Sequence, residues 1–308
     1  MGAFTIGADP EVFLETKKKG EVVPSQGRVL GTKSAPEPIG EAFTCFFSQR
    51  DNVAAEYNIP VCHSETQFVR AIQHGQDALY KSIPYGKRKN IQISKRASAN
   101  FKPKYLENEE ACNFGCEPDF NAWTISENSI DKTKVDPTFR TAGGHVHVGY
   151  HNTIKNLNPL ALVRAMDLYL GVPSVLLDPD KERRKLYGKA GAYRPTKYGL
   201  EYRTLSNFWI HTPEHVRWVY RGTSNAVFYA ERYPVIEPDS QLGSAIQAAI
   251  NNQDLDAIKV VTSLVPGIPK LEDYYPKKKQ DDSWSTLTGL TSGNKYAVTW
   301  TTVTTGST

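Results

Sequence analysis

Two histidines separated by a single valine constrain this chain more than any other stretch. They lie in Thr141-Ala142-Gly143-Gly144-His145-Val146-His147-Val148-Gly149-Tyr150. Alternation of valine with histidine predicts a β-strand, in which every second side chain shares a face. His145 and His147 then point one way, and Val146 and Val148 point into a core. Gly143, Gly144 and Gly149 remove bulk where a ligand or another backbone comes close. Such a pair can present metal or nucleotide ligands, and it can also be two ordinary strand residues. Acidic strands placed to face it would decide between these readings.

Composition narrows the class. The 308 residues suffice for one large or two modest domains with a substantial core. Hydrophobic residues make up 39% and charged residues 23%, as in an ordinary soluble globular protein. The net charge of +4 is mild and interspersed. The runs Lys17-Lys18-Lys19 and Lys277-Lys278-Lys279 read as solvated turns, which argues against a nucleic-acid partner. Cys45, Cys62, Cys112 and Cys116 contain no C-x-x-C pair, which argues against a disulfide framework or structural zinc and fits a reducing, cytoplasmic setting. The first residues lack the basic and apolar regions of a secretory signal. No apolar run approaches a membrane-spanning length.

In chain order, Phe4-Thr5-Ile6-Gly7-Ala8-Asp9-Pro10-Glu11-Val12-Phe13 reads as a strand interrupted at Asp9-Pro10. Asp9 and Glu11 share a face at i, i+2. Two acids so placed repel unless a cation sits between them; an exposed, proline-blunted edge strand is the other reading. Residues 16–50 are turn-rich. Residues 51–60 form a second strand carrying Glu56. Ser64-Glu65-Thr66-Gln67 has the capping-box pattern and opens a helix to about Ser82. His63 and His74 read as surface residues. Glu117-Pro118-Asp119 repeats the acid-proline-acid order of Asp9-Pro10-Glu11, as a second acidic strand or as a turn.

Beyond the histidines, Asn158-Pro159 opens a helix that Gly171 and Pro173 are expected to stop. The segment 182–199 reads as a loop dense in Gly, Arg, Lys and Tyr, able to fold over an anion or simply to be solvated. Leu200-Glu201-Tyr202-Arg203 is a further strand with Glu201 and Arg203 on one face. Thr212-Pro213-Glu214 caps another helix, and a smaller helical stretch covers about 240–265. Residues 266–308 are rich in Thr and Ser and read as a C-terminal hairpin or tail after a catalytic domain at 1–265.

Side by side in one antiparallel sheet, these strands would gather Asp9, Glu11, Glu56, Glu201, two imidazoles and an arginine. Oxygen-rich sites suit Mg²⁺ or Mn²⁺. The acids exceed what one zinc needs and cations are present, which points to two or three divalent ions clamping a nucleotide for phosphoryl transfer.

The motifs Gly7-Ala8-Asp9-Pro10-Glu11, D-x(4)-E-x(3)-P at Asp51, Glu56 and Pro60, Gly143-Gly144-His145-Val146-His147 and Glu201-Tyr202-Arg203 resemble the glutamine synthetase and glutamate–cysteine ligase superfamily. Their order is most similar to its phage carboxylate–amine ligase type 2 branch. The resemblance spans about residues 4–210. It implies an α+β fold with a curved, mainly antiparallel sheet and helices on its outer face. It implies ATP and Mg²⁺ (or Mn²⁺) as cofactors, with Asp9, Glu11, Glu56, His145 and Glu201 as metal ligands. His147 would lie near the nucleotide phosphates, Arg203 would contact the transferred phosphate, and Arg194 and Lys197 are further candidates for that contact. Glu117 is the candidate base. Asp9 stands where glutamine synthetases usually carry Glu. The partners implied are a carboxylate and an amine, whether amino acid, peptide or protein side chain, in the host cytoplasm if phage-encoded; oligomeric state stays open. A metal-dependent hydrolase and a non-catalytic phage structural protein are the competing readings.

Overall fold

A computed structural model of the chain describes residues 4–40, 45–108, 119–128 and 135–265. The proposed tail at 266–308 and Glu117 lie outside the described residues. The fold is mixed α+β with several antiparallel sheets. The largest has six strands in the order Thr5–Ala8, Val146–Gly149, Gly199–Tyr202, Ala192–Thr196, Phe120–Asn121 and Ser126–Glu127. Its register places Gly7, His147, Glu201 and Arg194 in one row. Side chains within a row share a face, so two neighbouring strands bring His147 and Glu201 together across more than fifty residues of sequence.

The opposite face of that sheet is apolar, as alternation requires. Val146, Val148, Leu200 and Tyr202 are fully buried. They belong to one core with Phe68, Leu162, Met166, Val216 and Val219 from the helices Glu65–Ser82, Pro159–Met166 and Pro213–Arg232. Burial of each such aliphatic side chain contributes roughly 1.5–3 kcal/mol, which pins the register, because a one-residue slip would send the valines to the polar side. The three helix starts form as their caps predict. Ser64 accepts from the Gln67 amide, Asn158 from Leu160 and Ala161, and Thr212 from His215.

The helix at 159 does not stop at Gly171. It widens to a π-turn over Asp167–Gly171 and continues as Val172–Leu177. Pro173 cannot donate the α-helical hydrogen bond, and the wider turn just before it absorbs that loss. The continuous run Pro159–Leu177 is 19 residues, long and apolar enough to cross a membrane, contrary to the expectation that no run is. It is 78% buried inside this fold, and that packing accounts for its apolarity.

A second sheet has the order Glu11–Val12, Ala54–Asn58, Phe46–Asp51 and Glu37–Ile39. Glu56 therefore sits in this sheet and not beside the histidines, a correction to the single-sheet expectation. The two sheets share residues 5–12. On one edge this segment pairs with the histidine strand. On the other, the amides of Tyr57 and Ile59 donate to the carbonyls of Pro10 and Ala8, and Glu11 pairs with Glu56. Pro10 lacks an N–H, so it tolerates the place where one sheet hands over to the next.

The expected loop at 182–199 is largely ordered. It holds a short helix, Arg183–Leu186, and the strand Ala192–Thr196, which forms a hairpin with Gly199–Tyr202. Arg183 and Arg184 are buried and hold the chain from within: Arg183 donates to the Thr204 carbonyl at 3.1 Å and Arg184 to Ser174 Oγ at 2.7 Å. The helical stretch after 240 is two helices, Gln241–Asn252 and Leu255–Leu264.

Candidate active site

Asp9 leaves the end of the first strand and meets both imidazoles. His145 Nδ1 lies 3.5 Å from Asp9 Oδ1, and His147 Nε2 lies 3.2 Å from Asp9 Oδ2. His145 Nδ1 also lies 3.2 Å from Glu201 Oε1. The double glycine explains how the first imidazole reaches this position. A Cβ on Gly143 would stand 2.4 Å from His145 Nε2, and one on Gly144 would stand 2.5 Å from the Trp209 indole nitrogen and 2.6 Å from the Ser206 carbonyl. At Gly144 the obstacle is backbone, which excludes a side chain; at Gly143 it is the His145 ring, which a side chain would displace.

Glu201 is fully buried and shared by two guanidiniums. Arg194 reaches Oε2 through Nε at 2.7 Å and through Nη2 at 2.6 Å; Arg203 Nη1 donates to Oε1. Arg203 Nε also lies 3.5 Å from Asp119 Oδ2. The Glu201–Arg203 pair is therefore a buried ion pair and not a surface one. Lys197 stays outside the cluster, exposed at the hairpin turn, where its carbonyl contacts His151 Nδ1 at 3.0 Å.

A second acidic cluster lies across the shared strand. Glu11, Asp51 and Glu56 each bring a carboxylate oxygen within 4.8 Å of the others, as do the ligand atoms of Asp9, His147 and Glu201. Asp9 and Glu11, expected to act together, thus serve neighbouring clusters. Glu11 Oε2 accepts from the Gly143 amide at 2.7 Å, so the glycine of the histidine motif also orients this acid. Glu56 accepts from Gln49 at 2.9 Å, and Lys33 Nζ lies 2.9 Å from Asp51. Asp51 is the site residue that sequence reasoning did not single out, although it opens the D-x(4)-E motif. Tyr198 is another. Its hydroxyl lies 3.1 Å from His147 Nδ1, and its ring stacks on the imidazole at 6.0 Å.

The two clusters differ in charge state. Burial works against ionisation of Asp9, but the charge of His147 and hydrogen bonds from both histidines hold its carboxyl far below the usual range. Burial opposes Glu201 as well, yet His145 and Arg203 bring it down to about 2. For His145, burial and Arg203 disfavour the proton, while Asp9 and Glu201 outweigh them and raise it to about 9. His147 is raised by Asp9 against its burial. Across the strand the direction reverses. Burial, reinforced by Asp51, raises Glu11, and burial with repulsion from Asp9, Glu11 and Asp51 lifts Glu56 well above the carboxylate range.

The donor set fits hard divalent cations. Five carboxylates converge, buried Asp9 Oδ1 is met by His145 Nδ1 at the long distance of 3.5 Å, and Glu11, Asp51 and Glu56 crowd acidic groups that a cation would relieve. Residues 137–288 match the model of the phage phiEco32-like COOH.NH2 ligase-type 2 family, a span that takes in His145, His147, Arg194, Lys197, Glu201 and Arg203. No curated protein matches the chain. Residues 137–288, just under half of the chain, are thus similar to the phage phiEco32-like COOH.NH2 ligase-type 2 family.

Proposed function

We propose that the protein is an ATP-dependent carboxylate–amine ligase that forms an amide or peptide bond through an acyl phosphate. The observation that carries the reading is the convergence of Asp9, His145, His147 and Glu201 beside Glu11, Asp51 and Glu56, two adjoining oxygen-rich clusters drawn from four distant segments. The family match supports the reaction class. The sheets joined through residues 5–12 support the reading of a curved catalytic sheet of the glutamine synthetase type.

Asp9, Glu11, Asp51, Glu56, Glu201 and an imidazole of the pair would hold two or three Mg²⁺ or Mn²⁺ ions. Such ions, when bound, neutralise charge on the phosphates of ATP. The chain's own residues do the remainder. Arg203 and Arg194, anchored on Glu201, border the place where charge develops as a substrate carboxylate oxygen attacks the γ-phosphorus and ADP departs. His147, partly exposed and hydrogen-bonded to Tyr198, is the donor turned toward phosphate. The amine must lose a proton before it displaces phosphate from the acyl group, and Glu117 is the proposed acceptor. A hydrolase built on the His-x-His pair fits less well, because both imidazoles are engaged by Asp9 and oxygen donors outnumber nitrogen donors.

The test is ADP and phosphate release with Mg²⁺ and ATP across a panel of amino acids and peptides. Release that requires both a carboxylate and an amine, and that disappears in Glu11→Ala and Glu201→Ala, is expected. Turnover without ATP, or variants that match the parent, would overturn the assignment.

A further inference from the structure

Lys17-Lys18-Lys19, which reads as a solvated turn in the sequence, meets a second basic run in the fold, Lys87-Arg88-Lys89. Residues 78–106 contain eight Lys and Arg and no Asp or Glu, in a chain whose net charge is only +4. The strand Leu14–Thr16 pairs with Ile91–Ile93, and the Lys17 amide donates to the Asn90 carbonyl at 3.0 Å. That pairing sets the turn Lys17-Lys18-Lys19 against the helical turn that carries Lys87, Arg88 and Lys89. Five of these six are exposed and Arg88 is half-buried.

The nearby acids are already engaged. Glu15 takes Gln92 at 2.8 Å, Ser94 at 2.8 Å and Arg96 at 3.9 Å, and Glu21 takes Lys102 at 2.6 Å. None of the six converging cations forms an ion pair among the described residues. Six like charges at one end of a three-stranded sheet repel one another, and an evenly charged surface would interleave acids there. An aromatic ring completes the patch. Tyr85 is 74% exposed at the start of the same helical turn, with the Arg88 guanidinium 5.8 Å from its ring centre.

We propose that this face binds single-stranded nucleic acid. Regularly spaced phosphates are the polyanion that matches six cations without acidic partners, and an exposed tyrosine flanked by a guanidinium is a stacking platform for a base. An acidic protein segment would use the cations but not the ring. A duplex would need an element that enters a groove, and the helix here, Tyr85–Arg88, is a single turn.

The experiment is fluorescence anisotropy of a labelled thymidine oligonucleotide of about 20 nucleotides, titrated with the full chain at salt from about 50 to 300 mM. Single strands lose about 0.7 in log–log salt slope per phosphate neutralised, so a slope near −4 is expected. The triple variant Lys17→Glu, Lys19→Glu, Lys89→Glu should bind at least about tenfold more weakly and halve that slope. Tyr85→Ala should weaken binding about 5- to 100-fold and leave the slope unchanged. A control of equal charge change, Lys155→Glu, Lys185→Glu, Lys259→Glu, should bind as the parent does; these lysines are exposed elsewhere. Circular dichroism establishes that each variant is folded. Absence of binding at the lowest salt overturns the proposal. So do equal losses in the two triple variants, and tighter binding of polyglutamate or duplex than of the single strand.

Discussion

The two acidic clusters offer an ion similar ligands and are neutralised in opposite ways. Around Asp9 and Glu201, the protein supplies its own positive charge through His145, His147, Arg194 and Arg203. Around Glu11, Asp51 and Glu56, it supplies the amides of Gln49 and Asn52, the Gly143 N–H and Lys33, whose side chain is 51% exposed, with the charges of His145 and Arg183 acting on Glu11. The first cluster is therefore ionised and held in place by the fold alone. The second has more carboxylates than cations beside it, so burial and mutual repulsion resist the ionisation of Glu11 and Glu56. Removing a carboxylate should then cost structure in the first and relieve repulsion in the second.

Glu201→Ala is the severest test of that contrast. It leaves two guanidiniums and His145 without their buried carboxylate, and a loss of about 3–5 kcal/mol by urea denaturation is expected, together with abolished ADP release. A variant as stable as the parent would break the comparison. Glu56→Gln should behave differently. Turnover should fall by at least about 100-fold, while metal-free stability stays equal or rises, because the amide matches the uncharged form that burial and repulsion favour at Glu56. The thermal shift on adding Mg²⁺ should shrink in the same variant; an undiminished shift would place the ion elsewhere.

A pH titration sharpens the contrast only after His211 is accounted for. Burial, then the charges of Lys95 and His215, push this imidazole down to about 3. The unfolded chain takes up the proton near pH 6.5, so between there and about 3 the unfolded state binds more protons. Its stability contribution is full above pH 6.5 and is lost as pH falls toward 3. His211→Gln should flatten that acid limb in denaturation measured from pH 7 to 4, and whatever slope remains belongs to other groups. The smallest effect is expected at Tyr198→Phe, which keeps the ring stacked on His147 and removes the hydroxyl. A three- to tenfold rise in KM for ATP, with Mn²⁺ affinity unchanged, would separate His147 from the metal ligands. A parallel loss of Mn²⁺ affinity would join it to them.

Local signals in the sequence were reliable where local chemistry decides the outcome. Ser64, Asn158 and Thr212 cap the helices their patterns announce, and the valines beside His145 and His147 are buried as alternation requires. The pairing of Glu201 with Arg203 is i, i+2 and equally readable. Long-range partners were not. Glu56 and Asp51 join the site through a second sheet, which no spacing within their own segment reveals. Gly171 and Pro173 carry stop signals that a π-turn overrides, because the helix is held by tertiary burial. Arg183 and Arg184 resemble a solvated run and prove to be buried props, since their partners are carbonyls and a hydroxyl far along the chain.

The handover at Asp9-Pro10 has a metric consequence. The two acids belong to different clusters but are separated by a single residue, so the span between their backbones is capped by bond lengths at about 7 Å. No domain motion or loop rearrangement can stretch that limit. Only the rotations of the two side chains are left to vary how far apart their carboxylates stand.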